Sequence, residues 1–167
     1  MKGRARFSHT NLIAGNWKSL ARFYEEVFGC KPVPPERHYR GSVLARGTGV
    51  SGAELHGVHL RLPGFGDAGP TLEIYSYEPQ EARVPSVVNR PGFGHIAFEV
   101  DDIAQTRQAI LDASGSTVAD RYGADAGALV VAGGCGSCRR RPLLVRHRGA
   151  MTLDSQLSTV DFPPEDI

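Results

Sequence analysis

The sequence predicts an α+β chain built from two β-α-β-β-β modules. Three observations predict it: a repeat at a fixed offset of 86 residues, a capped helix in each copy, and strands in which apolar residues alternate with polar ones. Phe7 and His9 in the first copy match Phe93 and His95 in the second. Because a repeat of this kind decides architecture, we expect two equivalent modules.

Each copy begins with a strand that leads into a helix. Asn16 and Asp102 follow the histidines by seven residues and are expected to accept hydrogen bonds from the first helical turn. The first helix is expected to end at Gly29, and the second to span Asp102–Ser114 and end at Gly115. The first helix carries an apolar stripe at helical spacing, which predicts a buried face: Trp17, Leu20, Phe23, Tyr24, Val27 and Phe28.

Three further strands are predicted in the first module. Ser42–Arg46 is a weak strand, whereas His56–Leu62 and Thr71–Tyr77 alternate clearly. In His56–Leu62 the aliphatic residues share one face, and His59 and Arg61 share the other. The same alternation places Glu73 opposite the apolar face of the next strand.

The domain organisation follows from length, proline content and charge. A chain of 167 residues suits one domain or two small modules that share a core. We predict a first module over residues 1–80, a proline-containing linker over 81–91, and a second module over 92–167. Residues 126–153 contain five arginines and no acidic residue. The second module is expected to be atypical or degenerate after about residue 127.

Composition excludes several classes of protein. A net charge of +1 argues against a nucleic-acid binder. No apolar run approaches the roughly 20 residues of a membrane helix, and polar residues interrupt the segment that a secretory signal would need. Three cysteines suit a reducing compartment, so a cytoplasmic location is expected. Chance explains the lone Cys135–Cys138 pair better than a redox or zinc site does.

Strand alternation places His9, Glu73 and His95 on the faces that the helices leave open. If the modules pair, the three side chains can converge in one concave cavity. Two imidazoles and a carboxylate suit a divalent zinc, nickel, cobalt, iron or manganese ion, which can act as a Lewis acid on a bound oxygen. The alternative is that all three are ordinary strand residues.

The segments FSHTNLIAGNWKSLARFYEEVFGC, GPTLEIYSYEP and RPGFGHIAFEVDDI resemble the vicinal oxygen chelate superfamily, also called the glyoxalase/bleomycin-resistance/extradiol-dioxygenase family. The resemblance covers about residues 6–120. It implies that the two modules form an open, curved barrel around a metal or ligand. It also implies that His9, Glu73 and His95 are the metal ligands of the first, fourth and fifth strands.

The sequence departs from this family at the eighth strand, where a fourth ligand, usually Glu, is expected. Nothing after Gly127 matches that motif, and Arg148–Asp154 is the nearest stretch by position. Asp154 or Asp161 could substitute. The departure has two explanations, a change of reading frame in the gene or a divergent second module.

Other side chains near the predicted cavity are candidates for binding substrate. His59 and Arg61 share the face of Glu73, and Arg61 could bind an anionic group or simply face solvent. Tyr75 could line the cavity or pack as an ordinary strand aromatic. No role is assigned to His38, and His56 is expected to be a packed or edge histidine.

These features favour a metal-dependent enzyme that acts on a small oxygen-bearing molecule. Its chemistry would be that of a lyase or isomerase, as in lactoylglutathione lyase, or of a dioxygenase. The alternatives are a metal-free protein that binds a drug or metabolite, or an inactive member that lacks the fourth ligand. A homodimer is expected because an unfinished barrel exposes sheet edges.

Overall fold

A computed structural model describes residues 5–82, 91–93, 95–117, 128–133 and 141–147. These residues form an α+β fold whose strands belong to two four-stranded, curved sheets that do not close into a complete barrel. In chain order the elements are β1 (His9–Ile13), α1 (Trp17–Phe28), β2 (Lys31–Arg40), α2 (Ser42–Thr48), β3 (Glu54–Arg61), β4 (Thr71–Glu78), β5 (Ile96–Val100), α3 (Ile103–Asp112), β6 (Ser116–Thr117), β7 (Ala128–Gly133) and β8 (Arg141–His147).

The two sheets repeat one strand order. The first sheet runs β1-β4-β3-β2 and the second runs β5-β8-β7-β6. In each, the first and last strands of the copy are parallel neighbours, and the other pairs are antiparallel. The predicted two-copy fold is therefore confirmed. The boundaries at residues 80 and 92 stay a prediction, and most of the predicted linker lies outside the described residues.

Helix α1 forms as its caps and apolar stripe predict. The side chain of Asn16 accepts a hydrogen bond from the backbone N–H of Ser19 at 3.1 Å. Gly29 takes the left-handed conformation, with φ at 65°, and its N–H donates to the carbonyl of Glu25. The buried residues of this helix lie on one side: Leu20, Ala21, Phe23, Tyr24 and Phe28.

The predicted strand at Ser42–Arg46 was wrong, because these residues lie in helix α2. The missing strand is β2, which precedes that helix and contains Pro32, Pro34 and Pro35. Prolines argue against a central strand because they cannot donate to a neighbour, but β2 lies at the edge of its sheet. Its register also shifts between Val33 and Arg37, around the two consecutive prolines.

Helix α3 ends earlier than predicted. Asp102 caps it by accepting from the N–H of Gln105 at 2.9 Å, as expected. The residue with left-handed φ is Ser114, at 62°, and not Gly115. Gly115 serves packing instead, since a Cβ atom there would collide with the side chain and carbonyl of Ile110.

The core lies between the first sheet and the helices. Leu60, Leu72 and Ile74 are fully buried on the helix-covered face of β3 and β4, and α1 packs across these strands. Phe98 of β5 stacks on Phe28 of α1, with ring centroids 4.2 Å apart, so the two copies share one core. The opposite face of β3 and β4 is left for His59 and Glu73, as the alternation predicted.

Candidate functional site

His9 and Glu73 meet on neighbouring parallel strands. The register of β1 against β4 pairs Asn11 with Glu73 and leaves His9 two residues away on the same face. His9 Nδ1 lies 3.5 Å from Glu73 Oε1. Two donor atoms that each lie about 2.1 Å from one tetrahedral ion are about 3.4 Å apart, so this pair fits a single divalent metal.

His59 approaches the same carboxylate oxygen from the other side. It is paired with Glu73 across β3 and β4, and its Nε2 atom lies 3.5 Å from Glu73 Oε1. The side chain of Glu73 is 18% exposed and lies between two imidazoles on flanking strands. The predicted substrate residue His59 is therefore as close to Glu73 as the predicted ligand His9.

Tyr75 lies beside His59 and is buried. Its hydroxyl oxygen is 2.7 Å from His59 Nε2. Burial, with further contributions from Glu73 and Tyr39, raises the pKa of the Tyr75 phenol, and burial lowers the pKa of His59. Both groups are therefore neutral near pH 7, so the phenol O–H can donate to an unprotonated Nε2.

Arg37 of β2 is a residue that the sequence analysis missed. Its positive charge adds to the effect of burial in lowering the pKa of His59, and it offsets part of the rise that burial causes in the pKa of Tyr75. Residue 37 was overlooked because the prolines before it obscured β2. Its cross-strand partner is Gly57, which places it on the face that carries His59.

Arg61 contacts a loop. Its Nη1 atom donates to the carbonyl oxygen of Gly69 at 2.8 Å, which ties the end of β3 to the turn that leads into β4. The guanidinium therefore holds this turn, and a role in binding an anionic substrate stays a prediction.

His95 lies just before β5 with an exposed side chain. Among the residues that the structure describes, His9, Glu73 and His95 are not a set whose ligand atoms all lie within 4.8 Å of one another. The structure thus brings His9 and Glu73 together without bringing His95 to them. The three-ligand site stays a prediction.

The eighth strand is β8, which precedes the stretch expected from the sequence. It spans Arg141–His147 rather than Arg148–Asp154, and it contains no Asp or Glu. Asp154 and Asp161 lie outside the described residues.

The strand register identifies which residue holds the position of the missing carboxylate. In the first sheet, Glu73 pairs with Asn11, two residues after the histidine of that copy. In the second sheet the corresponding residue is Ala97, and it pairs with Leu144. Leu144 therefore occupies the register position that matches Glu73.

A second group of donors lies at the other end of β3. His38 Nε2 is 2.5 Å from Glu54 Oε1, and His56 Nε2 is 3.3 Å from the same atom. Among the described residues, the three metal-ligating side chains whose ligand atoms all lie within 4.8 Å of one another are His38, Glu54 and His56. The hydrogen bond from His38, more than the nearby positive charges, holds the pKa of Glu54 below its usual value.

No role was predicted for this group because His38 lies 16 residues before Glu54 in the chain. The pairing of His38 with His56 depends on the register of β2, a strand that was not predicted. His56 is not packed in the core, since its side chain is 39% exposed. The alternation of His56 with Glu54 on β3 was the available signal.

No helix in the described part of the chain has the length and apolar character needed to span a membrane.

Solved structures with this fold come from several bacteria. A glyoxalase family protein from Bacillus cereus has a TM-score of 0.70 at 13% identity, covering 88% of this chain and 97% of its own. A glyoxylase/bleomycin resistance protein/dioxygenase domain from Frankia sp. EAN1pec has a TM-score of 0.57 at 16% identity, covering 87% and 98%. A mutant of the fosfomycin resistance protein FosX from Listeria monocytogenes, complexed with Mn(II) and 1S,2S-dihydroxypropylphosphonic acid, has a TM-score of 0.55 at 12% identity, covering 93% and 99%.

The family comparison agrees with these structures. None of the curated proteins matches the chain. The model of the glyoxalase/bleomycin resistance protein/dioxygenase superfamily matches residues 6–132. The chain therefore belongs to the glyoxalase/bleomycin resistance protein/dioxygenase superfamily.

Proposed function

We propose that the protein is a divalent-metal-dependent enzyme that acts on a small oxygen-bearing molecule. His9, Glu73 and His95 would hold the metal. The observation that supports this most is the 3.5 Å separation between His9 Nδ1 and Glu73 Oε1 on adjacent strands. FosX, which has the same fold, is complexed with Mn(II) and a dihydroxylated phosphonate.

The donor set of this site suits zinc, nickel, iron or manganese. Imidazole and carboxylate are both ligands of these borderline ions. A bound divalent ion would supply a Lewis acid for substrate oxygens, which is the chemistry that lyase, isomerase and dioxygenase reactions of this superfamily would need.

The residues around Glu73 would position and shield the substrate. His59 and Tyr75 are linked by a hydrogen bond and would present an uncharged polar surface beside the carboxylate. Because the pKa of Tyr75 is raised, its phenol keeps its proton for the hydrogen bond to His59, and the hydroxyl oxygen can accept a hydrogen bond from a substrate hydroxyl group. Arg37 and Arg61 would provide positive charge if the substrate is anionic.

A metal-free binding protein is the second candidate. It is favoured by the Leu144 position, where the second sheet offers no carboxylate to match Glu73. A protein of this type would use the same cavity to hold a drug or metabolite without reaction. Loss of His9 would then leave ligand binding unchanged.

Metal analysis of protein purified without chelator distinguishes the two candidates. The parent should carry the changes His38→Ala and His56→Ala, so that metal held by those side chains is not counted. We expect nearly one equivalent of transition metal in this parent, and loss of that metal in the added variants His9→Ala and Glu73→Gln. Metal-free parent protein whose ligand binding is unchanged by His9→Ala would contradict the enzyme proposal.

We also propose a homodimer in the cytoplasm. Within the described residues, β1 and β2 each have a neighbouring strand on one side only, so each leaves a sheet edge open. The repeat-related residues Phe7 and Phe93 are exposed by 64% and 66% and offer apolar area for contact. The low cysteine count suits a reducing compartment. Light scattering at several concentrations would measure the mass, and a mass of 18 kDa throughout would contradict the dimer.

A further inference from the structure

The cluster of His38, Glu54 and His56 lies away from the face described above. Strand alternation places Glu54 and His56 on the same side of β3 as Val58 and Leu60, the side that α1 covers further along. His59 and Glu73 lie on the other side of this sheet. The cluster is therefore a separate feature.

Its geometry is set by adjacent strands. His38 is the direct cross-strand partner of His56, and their rings are stacked with centroids 4.1 Å apart and planes 17° from parallel. Both Nε2 atoms point to one carboxylate oxygen of Glu54. Three donors from two paired strands are thus held by the sheet and do not depend on a mobile loop.

The distances suit one small divalent ion. The 3.3 Å between His56 Nε2 and Glu54 Oε1 is close to the roughly 3.4 Å expected for two ligands of a tetrahedral metal. The contact between His38 and Glu54 is a hydrogen bond, and it would lengthen by about 1 Å when both atoms bind the ion. The side chains are 45%, 35% and 39% exposed for His38, Glu54 and His56, so solvent can reach the site and complete the coordination.

The charged residues next to the cluster are of both signs. Arg40 is paired with Glu54 on one side, and Glu78 is paired with it on the other. These two side chains carry opposite charges, and Arg40 is one of the positive groups that lower the pKa of Glu54. The ligands of a bound ion would be the one negative carboxylate of Glu54 and the imidazoles of His38 and His56.

We propose that His38, Glu54 and His56 form a metal site for zinc or a similar borderline divalent ion, distinct from the site at His9 and Glu73. Two imidazoles and one carboxylate with an open position form the ligand set of many zinc sites. The ion would fasten β2 to β3 at the edge of the first sheet. This proposal does not depend on the proposed enzymatic function.

Titration with zinc chloride by calorimetry tests the site in a parent that carries His9→Ala and Glu73→Gln. We expect one equivalent of zinc to bind this parent. His38→Ala, His56→Ala and Glu54→Gln should each weaken binding by more than about 100-fold, because even loss of a group outside the metal's own ligands costs 10- to 100-fold. Glu26→Gln, which changes an exposed carboxylate on α1, is the matched control and should bind as the parent does.

A second measurement guards against variants that fail to fold. In the parent protein, which keeps His38 and His56, the NMR resonances of these two imidazoles should shift when one equivalent of zinc is added. The imidazole resonances of His59 should stay in place. Absence of zinc binding below 1 mM zinc would overturn the proposal. So would one equivalent that binds equally well in folded His38→Ala and His56→Ala proteins.

Discussion

The ring of Tyr75 lies against the backbone of Gly57, its direct partner across β3 and β4. A Cβ atom at position 57 would overlap the carbonyl oxygen of Ile74 and the Cδ1 atom of Tyr75. Glycine is therefore required here by close approach and not by an unusual φ angle. The absent side chain is what allows the Tyr75 hydroxyl to reach His59.

Replacing Gly57 by alanine is expected to destabilise the fold by roughly 1–3 kcal/mol, because the added methyl group meets a backbone oxygen that cannot move freely. Urea denaturation measures the free energy of unfolding. The matched control is Gly47→Ala in α2, where a Cβ atom meets nothing within 4 Å. That control should be neutral or slightly stabilising. Equal midpoints for the two variants would contradict the packing argument.

Phe98 should make a large contribution to stability. Its ring stacks on Phe28 and joins β5 to the core of the first sheet. Phe98→Ala is expected to cost about 3–5 kcal/mol. Phe65→Ala removes the same side chain at a position that is 62% exposed, and it should change stability by less than about 0.5 kcal/mol. A loss for Phe98→Ala as small as that for Phe65→Ala would contradict a core shared by the two copies.

Helix caps and strand alternation can be predicted from the sequence, whereas long-range contacts such as that between Phe98 and Phe28 cannot. The caps at Asn16 and Asp102 and the alternation of β3 and β4 predict elements within two residues of their observed bounds, because the signals are local. The stacking of Phe98 on Phe28 depends on the angle between α1 and β5, which no local pattern specifies. Strand β2 was missed since its prolines are tolerated only at an edge, and edge position is a tertiary property.

The candidate site likewise has contacts that local patterns predict and contacts that depend on how the strands are arranged. His9 and Glu73 were predicted to share a face, and the structure places them in contact. His59 was predicted to bind substrate, but it lies as close to Glu73 as His9 does. That closeness depends on the order of the strands in the sheet as well as on the alternation within each strand. The cluster at Glu54 requires the register of β2 against β3, and so it could not be predicted without that strand.

Cys30 should be chemically inert in the folded protein. Its side chain is buried, and burial with a smaller effect of Glu25 raises its pKa to about 12. At pH 8 only about 1 in 10,000 molecules would carry the reactive thiolate. In a Cys135→Ser/Cys138→Ser background, alkylation should be at least about 100-fold slower in native protein than in urea. Comparable rates would show that the thiol is accessible.

Leu144→Glu should restore a fourth metal ligand at the register position that matches Glu73. We expect manganese or zinc affinity to rise by about tenfold or more, since even groups outside the ligand set change affinity by that factor. The measurement is calorimetric titration in the His38→Ala/His56→Ala parent. Leu143→Glu, one residue away and so alternate in the strand, is the control. Equal affinities in the two variants would contradict the register assignment.

The Ala97–Leu144 pairing also bears on how the two halves of the chain are specialised. Both halves keep the features that build the scaffold, including a capped helix and a parallel pairing of the first and last strands of the copy. Among the described residues, the carboxylate at this register position is present in the first half alone. Substitutions in β8 are therefore expected to alter stability and the shape of the ligand-binding surface while leaving the His9–Glu73 pair intact. The second half is the part of the chain in which to redesign selectivity for small-molecule ligands.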